Sequence, residues 1–441
     1  MNNLMNKILN ILINEDPASM KLGINTTLLY ALFCATEIDL EVNFIRLDEN
    51  PDFPNQIQNI YKIDKNFAQL LFKNYQDANQ QIRDSAYFLE KYDAPNLGEV
   101  LKQNEIENFI LKIKDSDFIK KALNGVLLNR IEPMKPPFPP HGKNDINQFL
   151  KNLIAHFSNV HAPINLSDKE FINDLSAPTI EIKTQNLIDF DKNIVAKAIK
   201  NSIDQYHQLY PHHSNSKIVL KPKDSAQSLG VLALEFVKNG EINSVVQINP
   251  NQQIYKIDSG VLFDNDLLTN IIKKSLEAQI VFGNNIVDLY GDTILAQPYL
   301  AGVEIGDFRA IIVKNNHDKF EYFGSVFRKK LQNSSISKNF TTCATSGQSL
   351  PSQLGKYQKI IDEFAQKIVR YLNNHERKYQ SVHFVGADII AKDESVSELF
   401  LGEMNMHCPA LISMVGENLT QVVEKIIRPQ IKMILEKQIR L

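Results

Sequence analysis

The residues whose types and spacing could do chemistry lie near the C-terminal end, in FVGADIIAKDESVSELFLGEMNMHCP. The run from Phe384 to Ile390 is short and apolar, AKDES is turn chemistry, and Glu398 to Met406 returns as a second apolar run. This pattern predicts two strands joined by a polar turn. Side chains two apart on a strand point the same way, so Glu403 and Asn405 are expected on one face, continued inward by Leu399 and Leu401. Asp388, in the first strand, is expected to face them across the pair. Two carboxylates and an amide oxygen are hard donors, and such a set suits Mg²⁺ that keeps its other positions for water and nucleotide phosphates. The same residues would equally furnish an ordinary hairpin with polar groups at its exposed end, and on these residues alone both remain open.

The elements that must position these groups belong to a chain of 441 residues, long enough for two or three domains with sizeable cores. Apolar residues make up 43% and charged residues 22%, as in ordinary globular proteins. The net charge of −3 argues against a dedicated nucleic-acid binder and leaves room for a local basic pocket. Cys34, Cys343 and Cys408 lie far apart, which excludes a disulfide framework and a zinc-ribbon pattern and suits a reducing cytoplasm. The apolar run Ile8 to Ile13 is too short to span a membrane and stops at Asn14-Glu15-Asp16 without a small-residue cleavage pattern. Neither signal peptide nor membrane anchor is expected.

Taken in order, KILNILINEDP predicts a first strand and loop, and TTLLYALFCATEIDLEVNFIRL a helix followed by a second strand. From Pro51 to Lys121 the pattern predicts helical, polar sequence. NGVLLNR predicts another strand, and IEPMKPPFPPHG a stiff loop at its end, either a ligand-holding loop or a plain connector. INQFLKNLIAHFSNV predicts a helix, and HAPIN closes the first domain. SDKEFINDL then reads as a capped helix start, SAPTIEIK as extended chain and IVAKAIKNSIDQYHQLY as a helix. In the turn PHHSNS, His212 and His213 read as solvated rather than metal-binding. KIVLKPKDSAQSLGVLALEF predicts strand, loop and strand, Lys238 to Gly291 irregular and helical material, and ILAQPYL a strand. The strands DFRAIIV and FEYFGSVFR, a polar loop from Lys329 to Ser352, the helix KYQKIIDEFAQKIVRYLNNH, the acidic hairpin and a terminal helix complete an α/β (α+β) chain.

The order KP…SLGV, AQPYL…GDFR, FR, FVGAD and GEMN resembles the ATP-grasp ligases, and within them the prokaryotic glutathione synthetases. NILINEDP is similar to that family's first strand and loop, and NRIEPMKPPF to its arginine and PPF loop, here Arg130. The resemblance implies an ATP-grasp fold: a Rossmann-like substrate domain over 1–163, and two α+β subdomains, 164–296 and 297–441, clasping ATP. It also implies Mg²⁺ and an ATP-dependent ligase that phosphorylates a carboxylate and passes the acyl group to an amine. The expected reaction is glutathione synthesis from γ-glutamylcysteine and glycine. The alternatives are another amino-acid or peptide pair, or a nucleotide-binding homologue without turnover. Small-molecule substrates, a cytoplasmic homo-oligomer, and no nucleic-acid or membrane partner go with this resemblance.

Carried onto this sequence, the magnesium ligands are Asp388, Glu403 and Asn405. Lys221 and Lys169 are the nucleotide lysines, and Ser228 and Gly230 lie in the phosphate-covering loop. Gln297, Tyr299 and Leu300 match the strand that reads the adenine edge. Asp307 lies near the nucleotide, and Arg309 and Arg328 are the catalytic arginines. Asn339, His407 and Cys408 fall on the acceptor side, the last two shaping its pocket. The chain departs from the pattern at DSAQSLG, which retains only Gly230 where the family is glycine-rich and is closer to the serine-rich loop of D-alanine ligases. It also departs in an insertion at about 239–291 and in Met406, His407 and Cys408 where small hydroxylated residues are expected.

Overall fold

The computed structural model describes residues 8–13, 26–36, 38–50, 52–53, 55–70, 73, 110–129, 152, 155–156, 160–161, 172, 174–183, 192–223, 231–237, 242–247, 254–255, 293–315, 317–330, 349–352, 354–380, 382, 384–406, 428 and 431. These form three sheets in chain order, each flanked by helices, and the α/β class read from the sequence holds.

The first sheet contains β1 (Ile8–Ile13), β2 (Glu41–Arg46), β3 (Ile60–Ile63), β4 (Ile110–Ile113), β5 (Val126–Asn129) and β6 (Val160–His161), in the order β4-β3-β2-β1-β5-β6. β1 pairs in parallel with β2 and β5, and β5 in parallel with β6, while β3 and β4 run antiparallel. Every residue of β1 is buried, as expected of a central parallel strand covered on both faces. On one side α1 (Thr26–Thr36) contributes Tyr30, Phe33 and Cys34 to a core with Leu9, Ile11, Val42 and Phe44. On the other, Asn10 donates to the carbonyl of Ala122 at 2.7 Å and accepts from Asn43 at 3.1 Å. Ala122 lies in α2 (Ser116–Leu123), whose first turn is capped by Asp115.

Two readings of this region need correction. Pro51 to Lys121 is not helical throughout, because β3 and β4 fall inside it. Ile60 and Ile63 are three apart, which mimics a helical stripe; on a strand they point to opposite faces, and both are buried, Ile63 in the core that α1 also fills. Val160, at the end of the predicted helix INQFLKNLIAHFSNV, instead pairs with Leu127 in β6.

The second sheet is antiparallel, with β7 (Ile180–Lys183), β8 (Ser216–Pro222), β9 (Leu232–Phe236), β10 (Ile242–Gln247), β11 (Ile254–Tyr255) and β12 (Thr293–Pro298) in the order β11-β10-β9-β8-β12-β7. The helix α3 (Lys192–Leu209) packs over β7, β8 and β12. The start of Lys238 to Gly291 is therefore not irregular or helical: β10 and β11 extend the sheet outward. A register shift between Ile242 and Ser244 breaks the alternation that would have marked β10 as a strand. The expected helix start in SDKEFINDL lies outside the described residues; of its end, Asp174 and Leu175 form a turn, with the Leu175 N–H donating to Ile172 O at 2.8 Å.

The third sheet contains β13 (Gly306–Lys314), β14 (Phe320–Lys330), β15 (Ser349–Ser352), β16 (Phe384–Ala391) and β17 (Leu399–Asn405), in the order β15-β14-β13-β16-β17, all antiparallel. β14 and β15 thus take both ends of the stretch expected as a polar loop. Phe308, Ala310 and Ile312 face α4 (Gln358–Asn374), packing with its Ile361, Phe364, Ala365, Ile368 and Leu372. On the opposite face Ile311 and Phe384 join the core of the first sheet, as does Ile431 near the C-terminus. The second sheet is tied to the third by a parallel bridge between Ser176 and Leu401 and by the hydrogen bond from Leu401 N to Leu175 O at 2.7 Å. Tyr210, just past α3, adds a second tie: its hydroxyl donates to Lys392 O and accepts from Ala301 N at 3.0 Å. His213 is held here too, with Nδ1 2.9 Å from the Tyr206 hydroxyl and its ring stacked on Tyr210. Among the described residues no helix is long and apolar enough to cross a membrane.

Candidate active site

Antiparallel partners project on the same side of a sheet, so register decides which side chains meet. In the third sheet Asp307 is opposite Arg328, Arg309 opposite Asp388, Asp388 opposite Glu403, and Gly386 opposite Asn405. Four strands therefore deliver five charged side chains and one amide to a single face. Their neighbours on β13, Phe308 and Ala310, go into the core beneath α4.

The hairpin is where it was expected, but its facing is not. Ile389 pairs with Leu401 and Asp388 with Glu403, which leaves Gly402 as an extra residue, a β-bulge. Leu399 and Leu401 point into the core with Met404 and Met406, while Glu403 and Asn405 point to the charged face. The sequence expectation that Leu399 and Leu401 continue the face of Glu403 is thus corrected, because a bulge inverts the two-residue period.

Asp388 lies at the centre. Arg309 donates to both its oxygens, Nε to Oδ1 at 2.7 Å and Nη2 to Oδ2 at 2.8 Å. Arg328 Nη2 lies 3.0 Å from Oδ1, and Asn405 Nδ2 is 3.3 Å from Oδ2. Arg328 also grips both oxygens of Asp307, with Nε at 2.7 Å. Bidentate pairing of this kind fixes both partners in orientation as well as charge. Burial pushes the Asp388 pKa up, but the Arg309 and Arg328 guanidiniums more than offset this and hold it at about 2. At Asp307 burial prevails over Arg328 and the pKa is raised. Burial opposes the charge of Arg328, yet Asp307 and Asp388 push its pKa higher still.

From the second sheet Lys221 reaches across to this face, its Nζ donating to Gly402 O at 3.3 Å. Burial lowers the Lys221 pKa, and Glu403 and Asp388 work against that. Beside it Val231, Ala233 and Tyr299 form an apolar cluster with Val219 and Val303. Tyr299 donates its backbone N–H to Lys217 O at 2.9 Å and its hydroxyl to Glu304 at 2.8 Å. Leu300 accepts from the Val303 N–H, and Gln297 Nε2 donates to the Thr179 hydroxyl at 2.5 Å.

No family model matches the sequence, and no curated protein matches it. Among solved structures the chain is similar to a biotin carboxylase complex with β,γ-ATP from Campylobacter jejuni, at 10% identity and TM-score 0.45, over 96% of this chain and 71% of that one. It is similar to D-alanyl-alanine synthetase A from Vibrio cholerae, at 12% identity and TM-score 0.40, over 96% and 99%. It is also similar to a D-alanine-D-alanine ligase from Coxiella burnetii, at 10% identity and TM-score 0.40, over 98% of both chains.

Among the described residues no three His, Cys, Asp or Glu side chains are grouped to hold a metal. The set that converges here is two carboxylates and an amide. Asn405 Nδ2 is 3.3 Å from Asp388 and 3.4 Å from Glu403, so a turn of that amide presents its oxygen beside both acids. These hard donors fit Mg²⁺. The structure thus brings together Lys221, Asp307, Arg309, Arg328, Asp388, Glu403 and Asn405, with Gln297, Tyr299 and Leu300 on the neighbouring segment. Arg130, Lys169, Ser228, Gly230, Asn339, His407 and Cys408 lie outside the described residues. Sequence reasoning missed Gly402 and Glu304. Glu304 ends the short helical turn Ala301–Glu304, which begins after Leu300 and brings its carboxylate to the Tyr299 hydroxyl.

Proposed function

We propose that this chain is an ATP-grasp carboxylate-amine ligase: it binds ATP and Mg²⁺, phosphorylates a carboxylate and passes the acyl group to an amine. The observation that carries this reading is the charged face, on which Asp388, Glu403 and Asn405 adjoin two arginines while Lys221 arrives from the second sheet. Asp388, Glu403 and Asn405 would hold the metal, which screens phosphate charge when bound. Lys221 supplies an ammonium to phosphate oxygens. Arg309 and Arg328, fixed in place by their carboxylates, offset the charge that develops as a phosphoryl group moves. The apolar cluster of Val231, Ala233 and Tyr299 supplies a surface for a flat base, and the glycine-poor DSAQSLG would cover the phosphates. On this reading the second and third sheets are the two halves of the clasp, and the first sheet carries the carboxylate substrate.

Within this class we assign γ-glutamylcysteine and glycine as substrates, supported by the motif order read from the sequence. The test is purified protein with ATP, Mg²⁺ and panels of amino acids and dipeptides, read by phosphate release and product mass. Glutathione from γ-glutamylcysteine and glycine as the best product supports the assignment; clear preference for another pair leaves the ligase chemistry and removes the substrate. A second reading, nucleotide binding without turnover, is favoured by Asp388, whose oxygens are already engaged by Arg309, Arg328 and Asn405. ATP binding without phosphate release across the panel would establish it.

A further inference from the structure

At the bulge in β17 Gly402 is the extra residue, with no partner opposite it on β16. Its carbonyl accepts from Lys221 Nζ at 3.3 Å. The position is tight: a Cβ at Gly402 would stand 2.9 Å from Ile390 Cδ1 and 3.3 Å from the Asp388 carbonyl oxygen. Lys221 belongs to β8 of the second sheet, where Lys217, Val219 and Lys221 alternate with Ile218 and Leu220, which are buried. Its side chain therefore leaves its own sheet and ends on the backbone of another, beside Asp388 and Glu403.

Resting on the nucleotide-binding reading of this site, we infer that Gly402 is a positioning residue whose carbonyl holds Lys221 across the two sheets before nucleotide arrives. An ammonium has three donors, so the one given to Gly402 leaves two for phosphate oxygens. The flexible four-carbon stem of lysine is costly to order at the moment of binding, and a docked ammonium has met that cost in advance.

Deletion of Gly402 tests this directly. Leu401 then leads straight into Glu403, the pairs Asp388–Glu403 and Gly386–Asn405 are kept, and the carbonyl is gone. Lys221 should react several-fold faster with an amine-acylating reagent, read by peptide mass spectrometry without nucleotide. The KM for ATP should rise about tenfold with kcat held within about twofold, the signature of lost pre-organisation. A merely structural defect would lower kcat through the active fraction and speed acylation of lysines throughout. Gly402→Ala keeps the carbonyl, and its Cβ first meets the flexible end of Ile390, so its Lys221 should label at the wild-type rate; labelling as fast as in the deletion would overturn the inference. So would unchanged Lys221 labelling in a folded deletion variant. If the deletion variant does not fold, a crystal structure of the nucleotide-free wild type decides: Lys221 Nζ on the Gly402 oxygen supports the inference, and Nζ turned to solvent ends it. Labelling needs no ATP, so absence of ATP binding would sink the nucleotide reading and leave the Lys221–Gly402 contact to be judged separately.

Discussion

Arginines hold Asp307 and Asp388, whereas Glu403 meets the Asn405 amide, and this difference sorts what each substitution should do. Glu403→Gln removes the charge of a proposed metal ligand at a half-buried position without opening a cavity. Stability should stay within about 0.5 kcal/mol, while ATP consumption falls by about a hundredfold or more. Wild-type turnover in that variant would remove Glu403 from the metal set. Asp388→Asn is a different kind of change, because it takes the carboxylate partner from buried Arg309 and one of two from Arg328. It should cost about 3–5 kcal/mol in urea unfolding near neutral pH. Because the folded-state pKa of Asp388 is depressed to about 2, its stabilising contribution is fully present above the ordinary carboxylate range and is lost as pH falls toward 2. The gap between wild type and Asp388→Asn should therefore narrow on acidification, and a gap that stays constant from neutral pH down to about 2 would contradict the ion-pair account.

The strands place these residues through two local devices, a glycine at the start of β13 and a bulge in β17. Gly306 opens β13 with φ of +131°, and a Cβ there would stand 2.2 Å from Arg328 O. Gly306→Ala should cost at least about 1–3 kcal/mol and loosen Arg328 from Asp307, seen as a lower midpoint in denaturant. A midpoint equal to wild type would show that the strand start yields more easily than this contact implies. The β16–β17 hairpin was legible, because apolar runs on either side of AKDES leave little else for the chain to do. The facing of Leu399 and Leu401 was not, since counting in twos cannot register the extra residue at Gly402. The meeting of Arg328, Asp307, Arg309 and Asp388 depends on register between strands distant in sequence, which composition and spacing do not encode; only the motif order brought those residues to notice. β3 and β10 were lost for local reasons, isoleucines three apart in the first and a register shift in the second.

At the scale of the molecule, Tyr210 ties the second sheet to the third through a hydroxyl that a single substitution removes. Tyr210→Phe strips the hydroxyl from between Lys392 O and Ala301 N. A loss of about 1–3 kcal/mol is expected, with faster amide exchange at Ala301. Protection at Ala301 equal to wild type would mean that other contacts carry this junction. The bridge between Ser176 and Leu401 has a consequence in time rather than in energy. Its two halves are separated in sequence by the whole second sheet and most of the third, so during synthesis Ser176 leaves the ribosome long before its partner exists. Leu175 and Ser176 then have only their local bonds to Ile172 until β17 has been made, and contacts of such span close late. A chain stalled short of β17 therefore lacks the partner of Leu175 and Ser176, and its second sheet goes without this tie to the third.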